Sequence, residues 1–77
     1  MARRWIVRSG DDLGRSIAGL REMRGVTQAQ LAEVTRIDRT YLARVEAGHV
    51  TQMIERLIEL VRALGAELVV MDRNDGG

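Results

Sequence analysis

The middle of the chain carries two helix starts placed close together, and this spacing limits the possible folds more than any other feature. Thr27 and Gln30 have the separation of a capping box, which predicts a short helix over Gln28–Thr35. A further start at Asp38 predicts another helix over Asp38–Gly48, which follows the first of the two directly. Because only about three residues connect the two helices, they must meet at a tight corner.

Two short helices joined in this way are typical of a helix-turn-helix unit. Small and apolar residues fall where the two helices must touch. The residues predicted to face inward are Leu31, Ala32, Ile37, Leu42 and Val45. The opposite face of the helix over Asp38–Gly48 then consists of Arg39, Thr40, Ala43, Arg44 and Ala47. Two arginines and a threonine among small alanines are suited to close entry into the major groove of DNA.

Further start and stop signals predict the flanking elements. Ser9 is a predicted N-cap followed by acidic residues, and Gly25 is the predicted end of that first helix. Thr51 is predicted to cap a fourth helix, which Gly65 ends. The pattern then changes to β-forming residues. The two candidate short strands are Trp5–Arg8 and Ala66–Asp72.

The predicted fold is therefore mainly α, with four to five helices, a short C-terminal strand and a second candidate strand near the N-terminus. With 77 residues the chain has the length of a single domain. The predicted divisions are residues 1–8 as an arm or short strand, 9–65 as the helical domain, 66–72 as the C-terminal strand and 73–77 as a disordered tail.

The composition argues against a catalytic or metal-binding protein. The chain has no cysteine and a single histidine, His49, so neither a disulfide nor a structural zinc site is expected. No glycine-rich phosphate loop and no pair of nucleophile and base can be assembled from the sequence. We therefore expect no enzymatic activity and no cofactor.

Hydropathy and charge indicate where such a chain acts. No stretch approaches the roughly 20 apolar residues that a membrane-spanning helix needs, so a soluble, cytoplasmic protein without a membrane partner is expected. Residues 1–48 hold nine arginines and six acids, whereas residues 49–77 hold three arginines and five acids. Such an uneven distribution is typical of a basic surface confined to one side of a nucleic-acid-binding protein.

Short motifs along the chain resemble a known family. They are Asp12-Leu13-Gly14, Arg21, Gly25-Val26-Thr27-Gln28, Leu31-Ala32, Glu46-Ala47-Gly48 and Ala63-Leu64-Gly65-Ala66-Glu67-Leu68. Together they resemble the Xre/lambda-repressor-like helix-turn-helix proteins, and among these the HipB-like antitoxins. The resemblance covers about residues 11–70. It implies a lambda-repressor-like domain that binds duplex DNA, with Asp38–Gly48 as its recognition helix.

The resemblance also implies roles for individual residues. Arg39, Thr40 and Arg44 match positions that contact base edges. Gln28 matches a position that hydrogen-bonds a DNA phosphate, and Arg36 and Tyr41 lie where they can reach phosphates as well. Arg21 and Glu46 match a structural ion pair between the first and third helices, and loss of one partner of such a buried pair costs about 3–5 kcal/mol.

One position departs from the family pattern. Arg36 stands between the two helices of the motif, where the family usually has glycine. A side chain in the left-handed conformation costs roughly 1 kcal/mol relative to glycine, so this departure favours an altered turn.

The two candidate strands can pair in two ways, within one chain or across a dimer. An exposed apolar edge invites pairing with another chain, and the HipB resemblance implies dimerisation through the C-terminal strand over residues 66–72. The residues expected to take part are Trp5, Leu68, Val69, Val70 and Met71. A homodimer would present two recognition helices about 34 Å apart to a pseudo-palindromic operator.

By resemblance, the expected function is a sequence-specific repressor that is also the antitoxin of a type II toxin–antitoxin pair. It would regulate its own operon and bind a HipA-like kinase toxin. One alternative is an antitoxin that acts through protein contacts and binds DNA weakly, with Glu55, Glu59 and Arg62 exposed on the fourth helix as its toxin-binding surface. Another alternative is a stand-alone Xre-type regulator without a toxin.

Overall fold

The computed structural model describes residues 3–73 of the chain. Within that range the chain forms four helices and two short strands, in the predicted order. They are β1 (Arg4–Val7), α1 (Gly10–Met23), α2 (Gln28–Thr35), α3 (Arg39–Glu46), α4 (Gln52–Ala63) and β2 (Leu68–Met71). The mainly helical class with a short C-terminal strand is confirmed. Of the predicted disordered tail, residues 74–77 lie outside the described residues.

Each helix begins at the residue that the sequence predicts, because a side-chain oxygen accepts from a backbone N–H of the first turn. Ser9 accepts from the N–H of Asp12, and Thr51 accepts in the same way on α4. Thr27 begins α2 through a complete capping box. Asp38 accepts from two backbone N–H groups and so begins α3. These local bonds therefore set where each of the four helices begins.

The two strands pair with each other within one chain. They form an antiparallel ribbon in which Arg4 lies opposite Met71 and Val7 lies opposite Leu68. Val7 is fully buried, and the ring of Trp5 packs against α1 at Gly19, where an added Cβ would be 2.8 Å from the ring. The ribbon is therefore attached to the helical domain through its N-terminal strand.

Helix α1 crosses α3 very closely at Gly14. A Cβ built on Gly14 would overlap the carbonyl oxygens of Val45 and Glu46, which belong to the α3 backbone. Glycine weakens a helix by about 1 kcal/mol relative to alanine, so its presence here is explained by the crossing and not by helix propensity. The close approach brings the middle of α1 over the end of α3.

The buried apolar core is small. Among the described residues it consists of Val7, Ala32, Leu42 and Ile58, one from each of β1, α2, α3 and α4. The prediction that Ile37 faces inward is wrong, since its side chain is 42% exposed. It lies in the turn between α2 and α3. Ile37 and Leu42 have the separation of a hydrophobic staple, but this separation alone does not bury the side chain of Ile37. No helix of the described residues is long and apolar enough to cross a membrane.

Candidate nucleic-acid interface

The outward side of α3 carries polar side chains over a small apolar centre. Arg39, Thr40 and Arg44 are all exposed, whereas Leu42 on the other side of the helix is buried. Ala43 lies between these polar residues, and its methyl group leaves the helix backbone open to close approach. An exposed helix face with two guanidinium groups and a hydroxyl offers donors that match guanine edges and phosphate oxygens.

An open groove of about 530 Å³ runs beside this face, between α3 and the segment that leads into α4. Its walls include Thr40, Tyr41 and Arg44 on the helix and His49 on the following segment. The N–H of His49 donates to the carbonyl of Arg44 at 2.8 Å, which fixes this segment against the end of α3. No DNA-binding role is predicted for His49, and its position beside Arg44 follows from the turn at Gly48.

The turn between α2 and α3 is held in one conformation by backbone bonds. Arg36 adopts the left-handed conformation, with φ 61° and ψ 26°, and ends α2. The N–H of Ile37 donates to the carbonyl of Ala32 at 3.1 Å, which is the long bond of a Schellman turn. The expectation of an altered turn is therefore wrong, because Arg36 takes the conformation that glycine usually takes and carries its conformational cost.

Replacing Arg36 by glycine is expected to stabilise the fold and weaken DNA binding at the same time. Relief of the left-handed conformation contributes about 1 kcal/mol, which raises the melting temperature by roughly 5 °C. Loss of a charge that is expected to contact a phosphate should lower the salt dependence of DNA binding by about one unit of slope. Thermal melts and salt titrations measure the two effects, and Arg36→Lys is the control that keeps charge and strain. An unchanged melting temperature in Arg36→Gly would contradict the assignment of strain.

Arg21 and Glu46 form a bidentate ion pair that ties α1 to the end of α3. Arg21 Nε donates to Glu46 Oε2 at 2.8 Å, and Nη2 donates to Oε1 at 3.0 Å. The remaining Nη1 donates to the carbonyl of Val26 at 2.8 Å. One guanidinium therefore joins α1, the segment before α2 and α3.

Gln28 completes this network at the start of α2. Its Nε2 donates to Glu46 Oε1 at 3.0 Å, so the carboxylate accepts from both α1 and α2. The hydrogen bond from Arg21 holds the pKa of Glu46 below its ordinary value, although burial acts in the opposite direction. The same bond raises the pKa of Arg21, and both groups stay charged near neutral pH.

A model of the helix-turn-helix family described as HTH_3 matches residues 17–70, well over half of the chain. The chain belongs to the Xre/lambda-repressor-like helix-turn-helix family. The comparison with curated proteins and the comparison with solved structures each gave no match. Domains of this family bind DNA and regulate transcription, and they are not typically enzymes.

The helix-turn-helix domain has a second bidentate ion pair, between Arg24 and Asp72, that sequence reasoning missed. Arg24 Nη2 donates to Asp72 Oδ1 at 2.5 Å, and Nη1 donates to Oδ2 at 3.3 Å. This contact raises the pKa of Arg24. The N–H of Asp72 also donates to the carbonyl of Arg3 at 3.0 Å. Asp72 thus connects the end of the ribbon to the end of α1, across 48 positions of sequence.

The predicted exposure of Glu55 on α4 is wrong. Its Oε1 accepts from the N–H of Gly10 at 2.6 Å, and the side chain is half-buried. The N-terminus of α1 has unpaired N–H groups that favour a nearby carboxylate, which explains why Glu55 turns inward. Glu59 and Arg62 are exposed as predicted.

The predicted site residues of the helix-turn-helix domain thus fall into three places. Arg39, Thr40 and Arg44 share the exposed face of α3, with Tyr41 half-exposed beside the groove. Gln28 is half-buried and engaged with Glu46. Of the residues predicted for dimerisation, Trp5 and Val70 are half-buried within the chain, whereas Leu68, Val69 and Met71 are exposed.

Proposed function

We propose that this regulator is a sequence-specific repressor that acts in the cytoplasm on an operator upstream of its own gene. The observation that carries the proposal is the exposed face of α3, where Arg39, Thr40 and Arg44 surround the small Ala43. Arginine reads guanine through two parallel hydrogen bonds in the major groove, and threonine contacts either a base edge or a thymine methyl group. These three side chains are the proposed base contacts.

Phosphate contacts fix the orientation of α3 in the groove. Arg36 at the turn and Tyr41 in the first turn of α3 are both exposed, which supports such a role. Gln28 uses one amide hydrogen on Glu46. Because an amide nitrogen carries two hydrogens, the second is the proposed donor to a phosphate oxygen.

The proposed operator-binding form is a homodimer. The ribbon is one candidate contribution, since Leu68, Val69 and Met71 are exposed and a two-stranded ribbon is barely stable on its own in water. A two-fold dimer matches a pseudo-palindromic operator whose half-sites are about one helical turn, roughly 34 Å, apart.

Fluorescence anisotropy with the DNA upstream of the gene tests the proposal. We expect tight binding to this duplex, weak binding to a scrambled duplex, and a steep loss of affinity with salt. Replacing Arg39 and Arg44 by alanine is expected to lower the affinity for the upstream duplex about tenfold per arginine, while binding to the scrambled duplex changes less.

A matched control keeps this experiment specific to the exposed face of α3. Arg62 is an exposed arginine on α4, so Arg62→Ala removes one positive charge from the chain without touching α3. If Arg62→Ala loses as much discrimination as the double variant, the proposed base contacts are wrong. Equal, weak binding of the wild type to both duplexes would contradict the repressor itself.

The second part of the proposal is that the protein is an antitoxin whose partner is a HipA-like kinase. It is supported by the resemblance of the segment over residues 63–68 to the HipB-like branch. In the alternative with weak DNA binding, the toxin-binding surface on α4 retains Glu59 and Arg62 but loses Glu55, which is engaged with Gly10. The neighbouring gene discriminates both from a stand-alone regulator, because only the antitoxin needs a toxin gene beside it.

A further inference from the structure

Within the part of the chain that the structure describes, no strand pairs with the outer edge of β1. The two strands form a two-stranded sheet, so β1 has β2 on one side only. The N–H of Asp72 donates to the carbonyl of Arg3, which lies opposite it in the same register. Hydrogen-bonded and non-hydrogen-bonded pairs alternate along an antiparallel ladder. The N–H and C=O groups of Arg4 and Ile6 therefore point away from β2.

An open groove of about 350 Å³ lies along this edge, between β1 and the first half of α1. The charged residues that line it are three arginines and one acid, namely Arg4, Arg8, Arg15 and Asp12. Asp12 accepts from the N–H of Arg8 at 2.9 Å, and its carboxylate lies 3.5 Å from the guanidinium of Arg15. The side chain of Arg15 is still 73% exposed. The single carboxylate therefore leaves the groove with an excess of positive charge.

The backbone edge and the charge of the groove together define its occupant. An extended peptide that adds a strand to a sheet edge binds through main-chain hydrogen bonds, and its side chains supply the specificity. Acidic side chains on such a strand would meet the arginines of the groove, and an apolar one would meet Ile6, which is 39% exposed. We propose that β1 binds an extended acidic segment of a partner protein as a third strand of the ribbon.

The same observations disfavour two other occupants. A second copy of β1 would bring its own arginines against those of the first, and charged residues on an edge strand discourage such pairing. A nucleic-acid backbone would place phosphate oxygens against the outward carbonyl oxygens of Arg4 and Ile6, which need donors. An acidic peptide strand supplies N–H donors for these carbonyls and carboxylates for the guanidinium groups.

The groove lies on a different side of α1 from α3. Gly14 of α1 faces the backbone of α3, whereas Gly19 faces the ring of Trp5 on β1. Five positions along a helix correspond to a rotation of about 140°. The partner segment and an operator are therefore bound on separate surfaces. Binding of both at once rests on the proposed repressor function, whereas the β1 site itself does not.

Fluorescence anisotropy with a labelled peptide tests the site on the full chain. The probe is a short peptide in which glutamate and valine alternate, and the control peptide has lysine in place of glutamate. We expect the wild type to bind the acidic peptide and not the basic one. Arg4→Glu/Arg15→Glu should weaken this binding about tenfold, because both substitutions reverse a charge in the groove. Arg56→Glu/Arg62→Glu reverses two exposed charges on α4 and should bind the peptide as the wild type does.

A proline variant separates backbone pairing from charge attraction. Proline has no N–H, and the N–H of Ile6 points to the outer edge, so Ile6→Pro keeps the bonds between β1 and β2 but should abolish peptide binding. Val69 lies opposite Ile6, and its N–H points to the outer edge of β2. Val69→Pro is therefore the matched control, and it should bind the peptide as the wild type does. Circular dichroism checks that both variants keep their helix content.

Amide NMR of the wild type gives a measurement that does not depend on how a variant folds. The acidic peptide should shift the amide signals of Arg4 and Ile6 and slow their exchange with solvent, while the signals of α3 stay unchanged. Shifts confined to α3 or β2, or equal binding of the peptide by Ile6→Pro and the wild type, would overturn the β1 site.

The remaining outcomes keep this proposal apart from the repressor. If the wild type binds no acidic peptide, and Arg4→Glu/Arg15→Glu loses binding to the scrambled duplex, the groove is a nucleic-acid surface and the β1 proposal is wrong. Binding to the upstream duplex is measured without the peptide. A failure of the repressor proposal therefore leaves the β1 site standing, and the reverse also holds.

Discussion

Gly14→Ala is expected to destabilise the domain by about 3 kcal/mol, the upper part of the range for overpacking, although alanine is the better helix former. The added Cβ would overlap the carbonyl oxygens of Val45 and Glu46. These are backbone atoms of α3, so no rotamer change relieves the overlap and the two helices must separate. For a domain of this size the melting temperature should fall by roughly 15 °C. Thermal unfolding followed by circular dichroism measures the change.

Gly25→Ala is the matched control for this prediction. Gly25 follows the end of α1 with φ 66°, and an added Cβ there meets no atom within 4 Å. The substitution costs only the left-handed conformation, about 1 kcal/mol. If Gly14→Ala is as stable as the wild type, α1 and α3 do not cross at the distance described. If Gly25→Ala is the more damaging variant, conformational strain and not packing decides these positions.

Local signals were sufficient to predict the helices. Ser9, Thr27, Asp38 and Thr51 each bond to a backbone N–H two or three residues away, and a bond of this kind depends on sequence alone. Helical periodicity likewise predicted which side of α3 is exposed, since Leu42 is buried. The strands were placed less accurately, because β1 begins at Arg4 and β2 is shorter than the predicted Ala66–Asp72.

Contacts between distant segments could not be predicted from the sequence. Arg24 and Asp72 are joined across the fold, and neither residue has a neighbour in sequence that marks the pair. Glu55 is predicted to be exposed on α4, but its carboxylate accepts from the N–H of Gly10 at the start of α1. The need for glycine at position 14 of α1 is explained only by the backbone of α3, which crosses it closely.

The turn between α2 and α3 keeps the backbone conformation of the family pattern but not its usual residue. The pattern predicts a left-handed residue after α2, and the chain keeps that conformation with Arg36. The intrinsic preference of arginine favoured a different turn, but the bonds that close α2 outweigh a cost of roughly 1 kcal/mol. Arg36 is exposed at this corner, where the proposed phosphate contact would use its charge.

Glu46→Ala is expected to destabilise the domain by about 3 kcal/mol, at the lower end of values for buried pairs. The side chains of Arg21 and Glu46 are only 14% and 6% exposed, so the substitution leaves a guanidinium and the amide of Gln28 without their acceptor. Water reaches Arg21 in part, which limits the loss. Glu46→Gln retains one acceptor of the same shape and should lose less, so the thermal melts should rank wild type, Glu46→Gln and Glu46→Ala in falling order.

The pH dependence of stability distinguishes the ion pair from plain packing at Glu46. Because the hydrogen bond from Arg21 lowers the pKa of this carboxyl in the folded state, its contribution is fully present above the ordinary pKa of 4.5 and is lost as the pH falls through the lowered value. The free energy of unfolding of the wild type should therefore fall more steeply below pH 4.5 than that of Glu46→Gln. All other carboxyls titrate in both proteins, so the difference between the two curves isolates Glu46. Parallel curves would show that the charge of Glu46 does not hold α1 to α3.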